Sequence, residues 1–162
     1  MLIVRDARET DLEALEWGDE YAHYRKVYRR TFDETRTGRR VMLLAEWNGE
    51  LAGQVFLQLR STDPEFADGK DRGYLYSLRV KGAYRGLGIG TRLVVAAEAR
   101  LREQGYREAV VAAAKGNPAA RRLYERLGYQ VFMEDPGQWS YIDHLEQRRE
   151  VIEPCWVLVK RL

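Results

Sequence analysis

Arg85-Gly86-Leu87-Gly88-Ile89-Gly90-Thr91 sets three glycines at alternate positions, between a strand-like run (Tyr74 to Val80) and an amphipathic helix. A glycine turn that opens a helix leaves backbone N–H groups bare and aims them at one point. With the positive end of the helix dipole behind them, such groups hold phosphate. The flanking residues exclude two common nucleotide sites. A P-loop needs Lys and then Ser or Thr after its last glycine, and here Thr91-Arg92 comes after Gly90. A G-x-G-x-x-G dinucleotide turn counted from Gly86 meets Thr91 where its third glycine belongs. Its acidic residue is also missing, because Ala112-Ala113-Ala114-Lys115 stands in that place. The pattern that remains is Arg/Gln-x-x-Gly-x-Gly/Ala, met by Arg85, Gly88 and Gly90.

A second constellation lies further along, Asn117-Pro118-Ala119-Ala120-Arg121-Arg122-Leu123-Tyr124-Glu125-Arg126-Leu127-Gly128-Tyr129. Asn117 reads as an N-cap with Pro118 at the first helical position. Asn117, Ala120 and Tyr124 then share one helix face.

The elements that must position these residues are set by periodicity and punctuation. Leu2 to Val4 reads as a short strand. Thr10 with Glu13 reads as a capping box for a short helix ending at Trp17, where Gly18 breaks it. A second helix is expected from about Asp19 to Arg36, with Tyr21, Tyr24, Tyr28 and Phe32 as one stripe and Gly38 as its end. Val41–Trp47 and Leu51–Leu59 read as strands joined by Asn48-Gly49. Ser61 to Gly73 reads as a polar loop, Tyr74 to Val80 as a strand, and Gly90 to Gln104 as a helix burying Leu93, Val94, Ala97 and Leu101. Ala109 to Ala113 reads as a strand buried on both faces. A helix from Asn117 to Leu127 and strands at Tyr129–Met133 and Cys155–Lys160 complete the chain. Asp135 to Glu153 is an excursion without a clear period. The order β-α-α-β-β-β-α-β-α-β-β predicts one α/β (α+β) domain over residues 1–162.

Both motifs together resemble those of the GNAT superfamily of acetyl-CoA-dependent N-acetyltransferases. The second one is similar to that family's Asn-x-x-Ala-x-x-x-Tyr-x-x-x-Gly-Phe/Tyr element, and Trp156 to Leu162 looks like its last strand. The resemblance covers nearly the whole chain. It implies a mixed, mostly antiparallel twisted sheet with helices on both faces, whose central parallel strands, Tyr74–Val80 and Ala109–Ala113, splay apart. It implies acetyl-CoA as co-substrate, held by Arg85, Gly86, Leu87, Gly88, Ile89, Gly90 and Thr91 at the phosphates, by Leu78 and Val80 along the pantetheine arm, and by Asn117. Tyr124 matches the family's general acid, and a backbone N–H near Val80 its carbonyl-oxygen donor. The acceptor, an amine of a small molecule or peptide, is expected between the first two helices and the excursion before the last strand. Trp17, Tyr21, Tyr24, Tyr28, Trp139 and Tyr141 are the aromatics expected there, with faces suited to holding a cation. The sequence identifies no single general base: Glu65, Asp71, Glu134, Asp143 and His144 lie in segments bordering the expected acceptor pocket, and relatives often use water chains instead. Homodimers are frequent among such relatives.

Composition bounds the rest. In 162 residues, 45% are hydrophobic, which suits one domain with a core. Lys and Arg number 27 against 25 Asp and Glu, a net charge of +2 that gives no footprint for nucleic acid. No apolar run approaches a membrane span and Met1 to Arg5 is too short for a signal peptide, so a soluble cytoplasmic protein is expected. The single Cys155 excludes an internal disulfide, and with two isolated histidines no metal centre is expected. The competing functional reading is a non-catalytic module that binds an acyl-CoA.

Overall fold

A computed structural model describes all residues, Met1–Leu162. Its strands are β1 (Leu2–Asp6), β2 (Arg40–Trp47), β3 (Glu50–Gln58), β4 (Arg72–Val80), β5 (Glu108–Ala114), β6 (Gln130–Asp135), β7 (Gln138–Ile142), β8 (Arg148–Ile152) and β9 (Cys155–Arg161). Its α-helices are α1 (Arg25–Thr35), α2 (Ile89–Glu103) and α3 (Pro118–Arg126). Seven strands form one sheet in the order β1-β2-β3-β4-β5-β9-β6, and β7 and β8 form a separate hairpin. Every neighbouring pair is antiparallel except β4 with β5.

The β2–β3 turn shows how local chemistry sets register. Asn48 and Gly49 take φ of 51° and 85°. Both values lie in the left-handed region that a two-residue hairpin turn needs, so the Asn-Gly pair fixes the pairing from Trp47↔Glu50 onward.

Helices cover both faces. On one face α2 and α3 bury Ile89, Leu93, Val94, Ala97, Leu101 and Tyr124 against Val55, Leu57, Leu75, Val111 and Leu158. On the other, α1 buries Tyr28 and Phe32 against Leu15, Met42, Leu44 and Phe56. One charge is fully enclosed on the α2 face. The Glu98 carboxylate, 3% exposed, accepts from the Tyr129 hydroxyl at 2.7 Å and from Lys160 Nζ at 3.1 Å. Removing one partner of a buried pair strands the other charge, which costs about 3–5 kcal/mol. Lys160→Met is therefore expected to lower Tm by roughly 6–20 °C for a chain of this size, and adding Glu98→Gln to restore part of the loss, both read by thermal melting.

Two expected elements differ. The segment read as two helices before Arg36 holds 3-10 turns at Glu9–Asp11, Ala14–Glu16 and Ala22–Tyr24, and the α-helix starts only at Arg25. Asp11 rather than Glu13 closes the first turn, accepting the Arg8 N–H at 2.6 Å while it pairs with Arg5. Trp17 and Gly18 both take positive φ, 49° and 69°, which ends helical continuation before Asp19. The excursion read as aperiodic is the β7–β8 hairpin. Most of its residues are exposed, so it buries no face that would impose alternation.

No helix is long and apolar enough to cross a membrane.

Candidate active site

The central feature is where β4 and β5 stop pairing. Their register runs from Arg72↔Glu108 to Leu75↔Val111 and ends there, while β4 continues to Val80 and β5 to Ala114. The unpaired ends open a gap inside the sheet. A bulge marks the same place on the β3 side. Gln54 opposes Arg79 and Phe56 opposes Tyr76, so Ser77 and Leu78 together face Val55 alone. Ser77 takes φ 53°, a left-handed value unusual for a serine in a strand. Leu78 consequently has no strand partner on either side. Val80 pairs with Gly53 on β3 and is free on the β5 side, although its carbonyl accepts from Arg85 Nε at 3.3 Å.

The glycine turn begins just past β4. Ile89 is buried and pins the start of α2 to the core, so the turn before it is held from below. Gly86 and Gly88 take φ 78° and 77°, and a Cβ on either would meet nothing within 4 Å. Glycine is required at both by backbone conformation, not by crowding. The N–H groups of Gly86, Leu87 and Gly88 have no backbone partner. Those of Ile89, Gly90 and Thr91 lie in the first helical turn, where no intrahelical acceptor exists and no side chain caps the end. Six successive N–H groups at this helix N-terminus thus lack a backbone partner.

Gly90 differs from its neighbours. Its φ is not positive, and an added Cβ would make only an ordinary 3.8 Å contact with Val80. Gly90→Ala is expected to raise stability by about 0.5–1 kcal/mol, the helix preference of alanine, visible as a higher Tm.

Tyr124 projects from α3 into the same core, 8% exposed. Burial alone pushes its hydroxyl up to about 12, and no charge or hydrogen bond contributes. Tyr74, packed in a separate cluster with Val110, Cys155 and Val157, is pushed up by burial first and then by Cys155 and Tyr124. Asn117 caps α3, its Oδ1 accepting from the Ala120 N–H at 3.2 Å, which leaves its exposed NH2 free to donate. Arg85 is exposed and staples the turn to β4 through Val80, so its contribution is positional as well as electrostatic.

On the α1 face the aromatics of the two expected regions do meet. Tyr24 lies 5.0 Å from Tyr141 and 6.1 Å from Trp139 between ring centroids, and Trp17 meets Tyr21 edge-on at 5.1 Å. Their faces are not vacant for a substrate cation, however. The Arg79 guanidinium sits over Tyr21 at 4.4 Å and over Tyr24 at 5.5 Å, and donates to the Tyr28 hydroxyl at 3.2 Å.

The candidate bases separate by position. Glu65 and Asp71 lie at the paired end of β4, where the Asp71 carbonyl accepts from Arg107 and Glu108. The acidic loop there builds itself: Asp68 Oδ1 accepts from the N–H groups of Lys70, Asp71 and Arg72. Glu134 is paired with Lys115 at 2.8 Å. Asp143 is held down to about 2 by the Gln147 N–H and by Arg149, and anchors the tip of the β7–β8 hairpin. His144 keeps a buried Nδ1 without a partner.

Residues Asp6 to Tyr129 match the model of the Acetyltransferase (GNAT) family. The chain belongs to that family.

Within the GNAT family, the chain is 34% identical over 89 residues to a mycothiol acetyltransferase of Cellulomonas flavigena, a match that covers 54% of this chain and 26% of that protein. The chain therefore spans about a quarter of the length of that curated relative. Its fold is similar to that of a ribosomal-protein-alanine N-acetyltransferase from Brucella melitensis, with a TM-score of 0.73 at 19% identity over 99% of both chains. It is also similar to Arabidopsis thaliana Naa50 in complex with a bisubstrate analogue, with a TM-score of 0.71 at 19% identity over 99% of both chains. The likeness covers the mixed, mostly antiparallel sheet and its helices.

Four residues at this site escape a reading of the sequence: Arg79, Ser77, Gln54 and Tyr74. A signal for the bulge is present. Leu75, Leu78 and Val80 all face α2, yet Leu75 and Leu78 are an odd step apart, which a regular strand forbids.

Proposed function

We infer that this GNAT chain is an acetyl-CoA-dependent N-acetyltransferase, with residues 1–162 forming one catalytic domain. The observation that carries the reading is the run of free N–H groups from Gly86 to Thr91 just past the end of β4, whose last residues have left β5. The N–H groups of Gly86, Leu87, Gly88, Ile89, Gly90 and Thr91 hold the pyrophosphate. The unpaired backbone of Leu78 and the free edge of Val80 run along the gap as partners for the pantetheine amides. The Asn117 NH2 donates from the opposite wall.

In this arrangement an amine arriving from the α1 face attacks the thioester carbonyl carbon. Negative charge grows on the carbonyl oxygen as the C–N bond forms, and an N–H of the bulged stretch before Val80 stabilises it. The C–S bond then breaks, and Tyr124 donates a hydrogen bond to the departing sulfur. A primary amine of pKa ~10.4 must first lose its proton, a cost of roughly 5 kcal/mol at neutral pH. The Arg79 guanidinium on that face opposes the ammonium form by like charge. With Asp143 and Glu134 held in ion pairs, Glu65 and Asp71 at the paired end of β4 and the His144 Nδ1 enclosed away from solvent, the proton leaves through water.

The test combines purified protein and acetyl-CoA with a panel of amines, read by free thiol and by the mass of the acetylated product. Acceptor-dependent thiol release supports the reading. Tight acetyl-CoA binding without turnover on any amine overturns it in favour of a non-catalytic acyl-CoA-binding module. The curated relatives that share segments with this chain include a mycothiol acetyltransferase and an N-alpha-acetyltransferase, so the acceptor has to be read from this chain's own residues.

A further inference from the structure

The acceptor face carries a cation with no counterion. Arg79 is half-buried, yet it has no carboxylate within salt-bridge distance, whereas seventeen other ion pairs form across the chain. Its single side-chain hydrogen bond goes to the Tyr28 hydroxyl, so its other N–H donors have no acceptor in the protein. The unpaired Arg79 nitrogens stay accessible to solvent, so a ligand group can reach those donors. Stacking on Tyr21 and Tyr24 holds the guanidinium in one orientation without neutralising it.

A second unsatisfied group lies beside it. Gln54 opposes Arg79 in the β3–β4 register, is fully buried, and leaves both Oε1 and Nε2 without a partner. Strand alternation puts Gln54 on the same face as Phe56, the α1 face. Trp17 Nε1, whose ring packs on Tyr21, is likewise buried and unpartnered. The acidic groups nearest this chamber do not answer the charge. Asp143 belongs to Arg149 and to the hairpin tip, and Glu153, which acts on Tyr24, is exposed and forms no ion pair.

Position completes the observation. Arg79 lies between Leu78 and Val80, in the half of β4 that has left β5. Leu78 and Val80 pack towards α2, and Arg79 points the other way, into the aromatic chamber. A ligand group bound to Arg79 therefore sits on the sheet face opposite the one that Leu78 and Val80 turn towards α2.

We propose that Arg79 docks a carboxylate of the acceptor, so that the substrate is an amine that also carries a carboxylate, an amino acid being the simplest case. A stacked guanidinium presents one edge, and a planar carboxylate meets that edge with two parallel hydrogen bonds. Gln54 provides an adjoining donor and acceptor. A polyamine or a quaternary ammonium would have to displace Arg79 from the tyrosine faces against like charge. The proposal rests on the acetyl-transfer reading of the same site.

The test pairs amino acids with the amines that lack their carboxylate: phenylalanine with phenethylamine, methionine with 3-(methylthio)propylamine, lysine with cadaverine. Phosphoethanolamine forms a further arm. The carboxylate-bearing members are expected to lead by about 30-fold in kcat/KM, the worth of a charge-assisted bidentate contact, and Arg79→Gln to close that gap. Arg79→Lys keeps the charge and loses the fork, and is expected to retain part of the preference. Equal use of the decarboxylated amines, a preference for phosphoethanolamine, or a loss in Arg79→Gln shared by both series overturns the assignment while leaving acetyl transfer standing. Binding of N-acetylphenylalanine and N-acetylphenethylamine to wild type and to both variants, monitored by NMR, needs no turnover. Arg79-dependent preference for the acid supports the docking role even if no amine is acetylated, and its absence refutes that role. Circular dichroism melts confirm that each variant is folded.

Discussion

Tyr124→Phe is expected to lower kcat about 10²-fold while the KM for acetyl-CoA stays within about twofold, measured by steady-state thiol release. The size of the effect comes from where the hydroxyl sits. Burial holds Tyr124 at about 12. A leaving thiolate of pKa ~8.5 lies some 3.5 units lower, so complete proton transfer from the resting tyrosine runs uphill by roughly 5 kcal/mol. In the proposed mechanism Tyr124 contributes a strong hydrogen bond to the forming thiolate as the C–S bond breaks, and the proton transfers late. That bond exists only while sulfur carries charge, so its loss falls on kcat and not on donor affinity. The same elevation fixes a pH signature. A tyrosine raised to about 12 stays protonated throughout the working range, so kcat should show no falling limb from this group below pH ~11. An unchanged kcat in the Phe variant would remove Tyr124 from the mechanism.

Gly88→Val is expected to raise the KM for acetyl-CoA at least 10²-fold, by the order-of-magnitude worth of two or more lost phosphate contacts, and to lower Tm by only a few degrees. Two effects separate here. The φ of 77° puts any L side chain under strain of about 1–2 kcal/mol, more for a β-branched one. The built Cβ meets no protein atom within 4 Å, so the core is untouched. The open space above Gly88 is where the phosphates are expected, and a valine there both fills it and turns the donor N–H groups away. A melt shifted by strain alone with donor affinity intact would refute the phosphate role of the turn. Gly90→Ala, two residues on, carries no such backbone demand and shifts the melt upward instead.

Much of this site could be read from residue type and spacing, because its parts are backbone devices with strong local signatures. The alternate glycines, Asn117 with Pro118, and Asn48-Gly49 each dictate a conformation over a few residues, and each is found where the spacing puts it. Tyr21, Tyr24 and Tyr28 mislead for a physical reason. Steps of three and four suit a 3-10 turn leading into an α-helix as well as one long helix, and the two positive-φ residues at Trp17 and Gly18 decide the outcome. Arg79 stays hidden because an arginine in a strand looks like an ordinary solvated residue. Only the bulge at Ser77 and the tyrosines of a segment distant in the chain turn it inward.

The gap between β4 and β5 also has a mechanical meaning. Four register pairs, Arg72 to Leu75, are the only ladder joining β1–β4 to the β5-β9-β6 half of the sheet. The rest of the seam is two bare strand edges held by helices from one side. A molecule that hydrogen-bonds along both edges acts as a brace across a hinge. Donor binding should then stiffen the whole fold, with slower amide exchange at Leu78–Val80 and Ala112–Ala114 and a Tm that climbs with ligand concentration. Without the brace, those inner edges join the outer edges β1 and β6 as unpaired strand.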